Sequence, residues 1–251
     1  MSGIRSETFA GFGGAELAVH RLGEGCAVIL LHGLFSDAQT NWIRFGHAQR
    51  LADAGFEAIL PDLRAHGQSA RPHEPEAYPH DVLVRDAQAL VEHLGLSDYD
   101  LCGFSLGART AVRCVLAGLR PHKLVLGGMG LEGLAGWDRR AAFFIDAIDR
   151  FDEVKHGDPA FMAVAFMKTQ KIDRVAARLL LQAVDDTAES ELGGVTMPTL
   201  VVCGAQDRDN GSPQKLVDAL PNAVLAEIPG THMSSVTEPE LGEAVIRFLT
   251  A

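Results

Sequence analysis

Several signatures are missing from this sequence, and each absence removes a class of protein. No uninterrupted apolar stretch approaches the about 20 residues that a membrane-spanning helix needs. The amino terminus, Met1-Ser2-Gly3-Ile4-Arg5-Ser6-Glu7, carries no apolar signal core, so a soluble cytoplasmic location is expected. The four cysteines, Cys26, Cys102, Cys114 and Cys203, form no CxxC pair. Cys26 and Cys203 fall in apolar runs that read as strands, which suits buried thiols and not a disulfide framework. The ten histidines show neither HxxxH nor HExxH spacing, so no metal site is expected. Positive charge is scarce: 22 Lys and Arg stand against 33 Asp and Glu, a formal net charge of -11. Such a field repels phosphate backbones and anionic lipid, which leaves a small molecule as the expected partner, with no nucleic acid and no membrane surface. Oligomeric state is not legible at this level. There is no internal repeat and no low-complexity tract.

What is present suits a globular chain. Hydrophobic residues make up 47% of the 251 positions, enough for a layered core, and the length fits one large α/β domain with an inserted lobe. Residues 8–22 alternate weakly around Gly11, Gly13 and Gly14, the pattern of a β-hairpin with glycine at its turn. Those glycines precede the first long strand, so they cannot cradle a dinucleotide pyrophosphate, which needs glycines after a strand. Cys26 to Leu31 is a continuous apolar run, the mark of a strand buried on both faces. Residues 38–54 have helical spacing at Trp42, Phe45, Leu51 and Ala52. Strands are then expected at Phe56–Leu60, Asp98–Phe104, Lys123–Leu126, Thr199–Cys203 and Ala223–Ile228. Between and after them, helices are expected at 81–94, Ala108–Ala117, Pro213–Leu220 and Glu238–Leu249. Strand and helix alternate, which predicts a mostly parallel sheet with helices on both faces. Residues 131–197 break the rhythm. They hold no convincing strand, but helical spacing at Ala141–Ile148, Ala160–Met167 and Ile172–Val184, the first two apolar over a wide arc and so expected to be covered on two sides.

Four segments carry chemistry. In Gly103-Phe104-Ser105-Leu106-Gly107, a predicted strand must turn sharply into a helix, which leaves Ser105 at the turn and requires residues without side chains two positions either side. The helix that follows points free N–H groups towards developing negative charge. Leu31-His32-Gly33-Leu34-Phe35 follows a buried strand. Its Leu34 amide and the Leu106 amide are the candidate pair of oxyanion donors, and His32 is expected to support that loop by hydrogen bonding. A late strand ends at Gly204-Ala205-Gln206-Asp207, which places a carboxylate where it can orient an imidazole; Asp209, two residues on, is the alternative. Pro229-Gly230-Thr231-His232-Met233 follows the last strand. His232 alone, of the three histidines just beyond predicted strands, comes after both serine and acid.

Together these segments resemble the α/β-hydrolase superfamily over nearly the whole chain. Pro61-Asp62-Leu63-Arg64-Ala65-His66-Gly67-Gln68-Ser69 is similar to the family's Asp-x-Arg-Gly-x-Gly-x-Ser loop, with Ala65 in place of its first glycine, and Thr231 stands where members often have Gly or Ala. The resemblance implies the α/β-hydrolase fold, an eight-stranded mostly parallel sheet flanked by helices, in a core of residues 1–130 and 198–251. It implies a helical cap at 131–197, between the sixth and seventh strands, a Ser105–His232–Asp207 triad and no cofactor. The activity it implies is hydrolysis of a small to medium ester through an acyl-enzyme on Ser105, as in carboxylesterases. The same triad would serve a cofactor-free peroxidase, a perhydrolase or a carbon–carbon bond hydrolase, and the fold could also persist as a non-catalytic ligand binder. A serine nucleophile argues against dehalogenases and epoxide hydrolases, which use aspartate there. Phe35, Phe143, Phe144, Phe161, Met162, Phe166 and Met167 are candidate lining residues for an apolar acyl or alcohol group, although Phe and Met in such helices more often pack as core. The cap shows no cationic cluster that calls for an anionic substrate, although Arg139 and Arg140 are adjacent.

Overall fold

The continuous apolar run at the start of the chain is sandwiched, as its composition requires. In a computed structural model, which describes residues 3–251, strand β3 (Cys26–Leu31) sends Val28 and Leu30 into one apolar cluster and Ile29 and Leu31 into another on the opposite face. Met1 and Ser2, the first residues of the amino-terminal segment read above, lie outside the described residues. The remaining strands are β1 (Arg5–Ala10), β2 (Glu16–Leu22), β4 (Phe56–Pro61), β5 (Tyr99–Phe104), β6 (Leu124–Gly127), β7 (Thr199–Gly204) and β8 (Ala223–Ile228). They form one sheet in the order β1-β2-β4-β3-β5-β6-β7-β8. The hairpin β1–β2 is antiparallel and β2 joins β4 antiparallel; every other pairing is parallel.

The helices are α1 (His47–Asp53), α2 (Val82–His93), α3 (Leu106–Leu116), α4 (Leu131–Leu134), α5 (Trp137–Asp149), α6 (Phe161–Thr169), α7 (Arg174–Ala183), α8 (Pro213–Ala219) and α9 (Pro239–Thr250). Two expectations change here. The helix expected over 38–54 is split: a π-helical turn at Gln39–Ile43 ends before Gly46, whose φ of 80° breaks helical continuity, and α1 starts afresh at His47. Cys26 is exposed, unlike Cys102, Cys114 and Cys203, because it opens β3 at the sheet rim before the core begins.

Connectivity decides where a ligand can sit. After β3 the chain moves to β4 on one side, then crosses back to β5 on the other, so the loops leaving β3 and β5 diverge from adjacent strands at their carboxyl ends. A crevice at such a reversal is the usual ligand site of an open α/β sheet. Leu31 is paired with Gly103, which brings the end of β3 alongside the approach to Ser105. Between β6 and β7 lie α4 to α7. Arg109 of α3 ties the two ends of this insert together, donating to the main-chain oxygens of Gly133 and Leu134 in α4 and of Asp185 just after α7. Among the described residues, no helix is long and apolar enough to cross a membrane.

Candidate active site

The turn from β5 into α3 is as sharp as the spacing of its glycines implies. Ser105 has φ 54° and ψ −112°, a conformation L-residues rarely adopt. Any Cβ on Gly103 would lie 2.2 Å from the Gly107 carbonyl oxygen, and any on Gly107 would lie 2.2 Å from the Leu31 carbonyl oxygen. Strand, turn and helix therefore close on one another only because both positions lack side chains.

Two further strand ends bring the other groups in. Past β7, the Gln206 amide donates to the Gly230 carbonyl at 3.0 Å, lacing the loop after β7 to the loop after β8. This places Asp207 beside His232, whose Nδ1 lies 2.8 Å from Asp207 Oδ2. His232 Nε2 lies 3.0 Å from Ser105 Oγ. All three side chains are buried. Asp209 does not reach the imidazole; instead its main-chain N–H donates to Asp207 Oδ1 at 3.0 Å. Burial alone would raise the Asp207 carboxyl, but the hydrogen bond from His232 and nearby positive charge outweigh it and hold the group below its ordinary range. The carboxylate is thus ionised and accepts from Nδ1–H, which leaves Nε2 free to accept the serine proton. The Thr231 hydroxyl pairs with Ser234 in a small turn and, among the described residues, makes no hydrogen bond to the three side chains.

The loop after β3 is organised around one amide. The Gly33 N–H donates to Asn41 Oδ1 at 3.0 Å, the Phe35 N–H to His66 Nε2 at 3.0 Å, and the Ser36 N–H to the Gly33 carbonyl at 3.2 Å. The Leu34 N–H has no partner among the described residues. Leu106 opens α3, so its N–H has no carbonyl one turn back to meet. His32 does support the loop: its Nδ1 donates to Gly33 O at 2.8 Å and its Nε2 accepts from the Leu63 N–H at 2.9 Å. His66 repeats the pattern, donating from Nδ1 to Arg64 O at 2.9 Å. Asn41 did not stand out in the sequence, and His66 stood out only as one of three histidines just beyond predicted strands. Their only signals were position, one inside the Asp62–Ser69 loop and the other just past the β3 loop. Ala65, the departure from the family loop, sits at φ 68°, where a glycine would avoid a cost of about 1–2 kcal/mol.

These two histidines predict a pH dependence. Burial dominates at His66 and drives its imidazole from 6.5 down to about 3. Burial likewise lowers His32. A histidine whose folded pKa is depressed binds its proton more readily in the unfolded chain. Stability is therefore full above pH 6.5 and falls as pH drops through the window towards 3. The urea midpoint is expected to decline steadily from pH 6.5 to pH 4, and His66→Gln, which retains an acceptor for the Phe35 amide, should flatten that slope. An unchanged slope in the variant would remove His66 from the account.

Ser105, His232 and Leu34 line an open cavity of about 960 Å³. Phe35, Phe143, Phe144, Met162 and Phe166 line it as well, with α5 and α6 forming one wall. Phe161 and Met167 do not. Met167 is fully buried in the core, and the Phe161 ring stacks edgewise on His156 at 5.2 Å. The apolar arc of α6 is too wide for one cavity, so part of it packs inward. A smaller pocket of about 250 Å³ shares Ser105, His232 and Phe166 and adds Asn41, whose buried Nδ2 has no partner. Among the described residues, no cluster of three or more His, Cys, Asp or Glu is arranged to hold a metal ion.

The fold agrees with comparison to known proteins. A family model described as the alpha/beta hydrolase family matches residues 28–245, and the chain belongs to that family. It is 27% identical to the AB hydrolase superfamily protein YisY of Bacillus subtilis (strain 168) over 215 residues, 76% of this chain and 78% of that protein. It is 34% identical to an epoxide hydrolase of Caballeronia sordidicola over 110 residues, 44% of this chain but only 32% of that protein. Among solved structures, an esterase (EaEST) from Exiguobacterium antarcticum superposes with a TM-score of 0.80 at 18% identity, covering 97% of this chain and 99% of that one, a likeness of fold.

Proposed function

We propose that this chain is a serine hydrolase of small to medium carboxylic esters. His232 Nε2 takes the Oγ proton of Ser105 as the oxygen attacks the ester carbonyl carbon. Asp207 holds the imidazole and stabilises its cation. The amides of Leu34 and Leu106 donate to the oxyanion of the tetrahedral intermediate. That intermediate collapses to an acyl-enzyme as His232 protonates the leaving alcohol, and water deprotonated by His232 then releases the acid. The observation that carries this reading is the pair of contacts, 3.0 Å from His232 to Ser105 and 2.8 Å from His232 to Asp207, opening on the cavity.

Resemblance to epoxide hydrolases does not extend to the nucleophile. A carboxylate that opens an epoxide forms an ester, which water can cleave. A serine that did so would form an ether, which water would not cleave. Ser105 therefore favours acyl transfer.

A fluorophosphonate probe and 4-nitrophenyl esters from acetate to decanoate test the proposal. The expected result is covalent labelling of Ser105 and turnover greatest at short to medium chain length. A folded sample that is neither labelled nor active overturns it in favour of a binding protein. Turnover of a peracid or a carbon–carbon substrate alone would move the same groups to another reaction.

A further inference from the structure

The wall of the large cavity carries a charge pattern at odds with the rest of the molecule. The chain has a net charge of -11, yet this cavity is lined by Arg139, Arg140 and Arg208 against only Glu132 and Asp209. Glu132 is already engaged: Lys215 Nζ lies 2.8 Å from its Oε1, and its Oε2 accepts the Ser212 N–H at 2.8 Å. The adjacent pair Arg139 and Arg140 offers no cluster in the sequence. Folding supplies the third member, because the loop after β7 brings Arg208 to the first turn of α5.

Arg140 is the distinctive member. It is half-buried, and it also lines a narrow recess with Ser105, Leu34 and Leu106, so it reaches both the cavity and the candidate oxyanion donors. Among the described residues its side chain makes one hydrogen bond, to the main-chain oxygen of Asp209, and its guanidinium lies 5.6 Å from the Phe144 ring centroid. Among the described residues no carboxylate hydrogen-bonds to it; burial lowers its hold on the proton, and the nearby charges of Asp209 and Asp207 offset that only in part. A guanidinium offers five N–H donors in a planar fork, and leaving most of them unused in a partly desolvated place is unfavourable. Arg109 lines the same recess but differs in kind, since its donors are taken by three main-chain oxygens that anchor the insert.

We propose that Arg140 is a binding subsite for a carboxylate, and that the substrate is an ester carrying a free carboxylate besides the bond that is cleaved. The cleavage step rests on the Ser105 reading; the binding step does not. The fork of Arg140 takes the carboxylate in two parallel hydrogen bonds, Arg139 and Arg208 add attraction at the cavity mouth, and the ester carbonyl is thereby held over Ser105.

Paired substrates test this. Mono-4-nitrophenyl adipate against 4-nitrophenyl hexanoate places the charge in the acyl part. Against these, 4-carboxyphenyl butyrate with phenyl butyrate places it in the alcohol. In at least one pair the charged ester is expected to have the higher kcat/KM, and Arg140→Gln should reduce that charged-to-neutral ratio by about tenfold or more. Arg140→Lys, which keeps the charge but loses the fork, should fall between. Fluorophosphonate labelling of each variant reports separately on Ser105, so loss of ester chemistry and loss of charge preference are distinguishable. If no ester is turned over, calorimetry with adipate decides: binding to the wild type that is lost in Arg140→Gln supports the subsite. Ratios unchanged by both variants in both pairs, or adipate binding that is absent or indifferent to Arg140, overturn it.

Discussion

Ser105→Ala is expected to lower kcat/KM on 4-nitrophenyl butyrate by about 10⁴-fold or more while leaving the fold intact. The size follows from the geometry. In the proposed mechanism Ser105 Oγ attacks, with His232 Nε2 3.0 Å away to receive its proton. His232→Ala should cost a similar factor. The double variant should cost little more than either single one, because serine and imidazole act as one unit and the loss of either leaves the other without a task. Asp207→Asn is a third arm. It keeps the side-chain shape but presents the wrong partner to Nδ1. Kinetics of the single and double variants, with circular dichroism to show that each is folded, check the prediction. Additive losses would mean that the two residues contribute separately, and the proton relay would then be wrong.

The largest expected effect on stability lies away from the nucleophile. Asp86→Ala is expected to destabilise the protein by about 3–5 kcal/mol, because it strips the partner from a buried charge. Arg64 is 1% exposed and forks onto Asp86 of α2, Nε to Oδ2 at 2.9 Å and Nη2 to Oδ1 at 2.7 Å. The same Asp86 Oδ1 accepts the Phe12 N–H at 2.8 Å, which ties in the turn of the β1–β2 hairpin. Removal of the carboxylate leaves the guanidinium charge unpaired, with only the main-chain oxygens of Phe12 and Ala77 among the described residues to accept from it, and takes the acceptor from the Phe12 amide. The effect should reach the site as well. Arg64 lies between Leu63, whose N–H donates to His32, and His66, whose Nε2 holds the Phe35 amide next to Leu34. A loss of kcat/KM that tracks the loss in urea midpoint is therefore expected, with Asp86→Asn milder in both. A stability loss below about 1 kcal/mol would show that the pair is solvated or replaceable.

The legible parts of this protein were those in which local geometry demands a particular residue type. Ser105 was legible because a strand-to-helix turn this tight tolerates nothing larger than glycine at positions 103 and 107, as the 2.2 Å approaches show. The apolar run Cys26–Leu31 was legible because a strand covered on both faces cannot alternate. The break at Gly46 was missed because one glycine within a helical pattern is ordinarily tolerated, and only its φ of 80° separates the two segments. Phe161 and Met167 were read as lining because apolar periodicity says that a face is covered without saying by what.

The sequence by itself determined the parallel α/β architecture, the order Ser105, Asp207, His232 and the loops on which they lie, since each depends on short-range patterns of glycine, apolar residues and strand ends. Motif spacing favoured Asp207 over Asp209, but tertiary structure decides why, since both follow β7 and differ in where the loop, laced to Gly230, points them. It alone left the Leu34 amide unpartnered by engaging its neighbours with Asn41 and His66. It alone gathered Arg139, Arg140 and Arg208 at one cavity. The physical reason is common to all three. Hydrogen bonds and charge are satisfied between residues far apart along the chain, and no local periodicity records which partners the folded sheet will bring together.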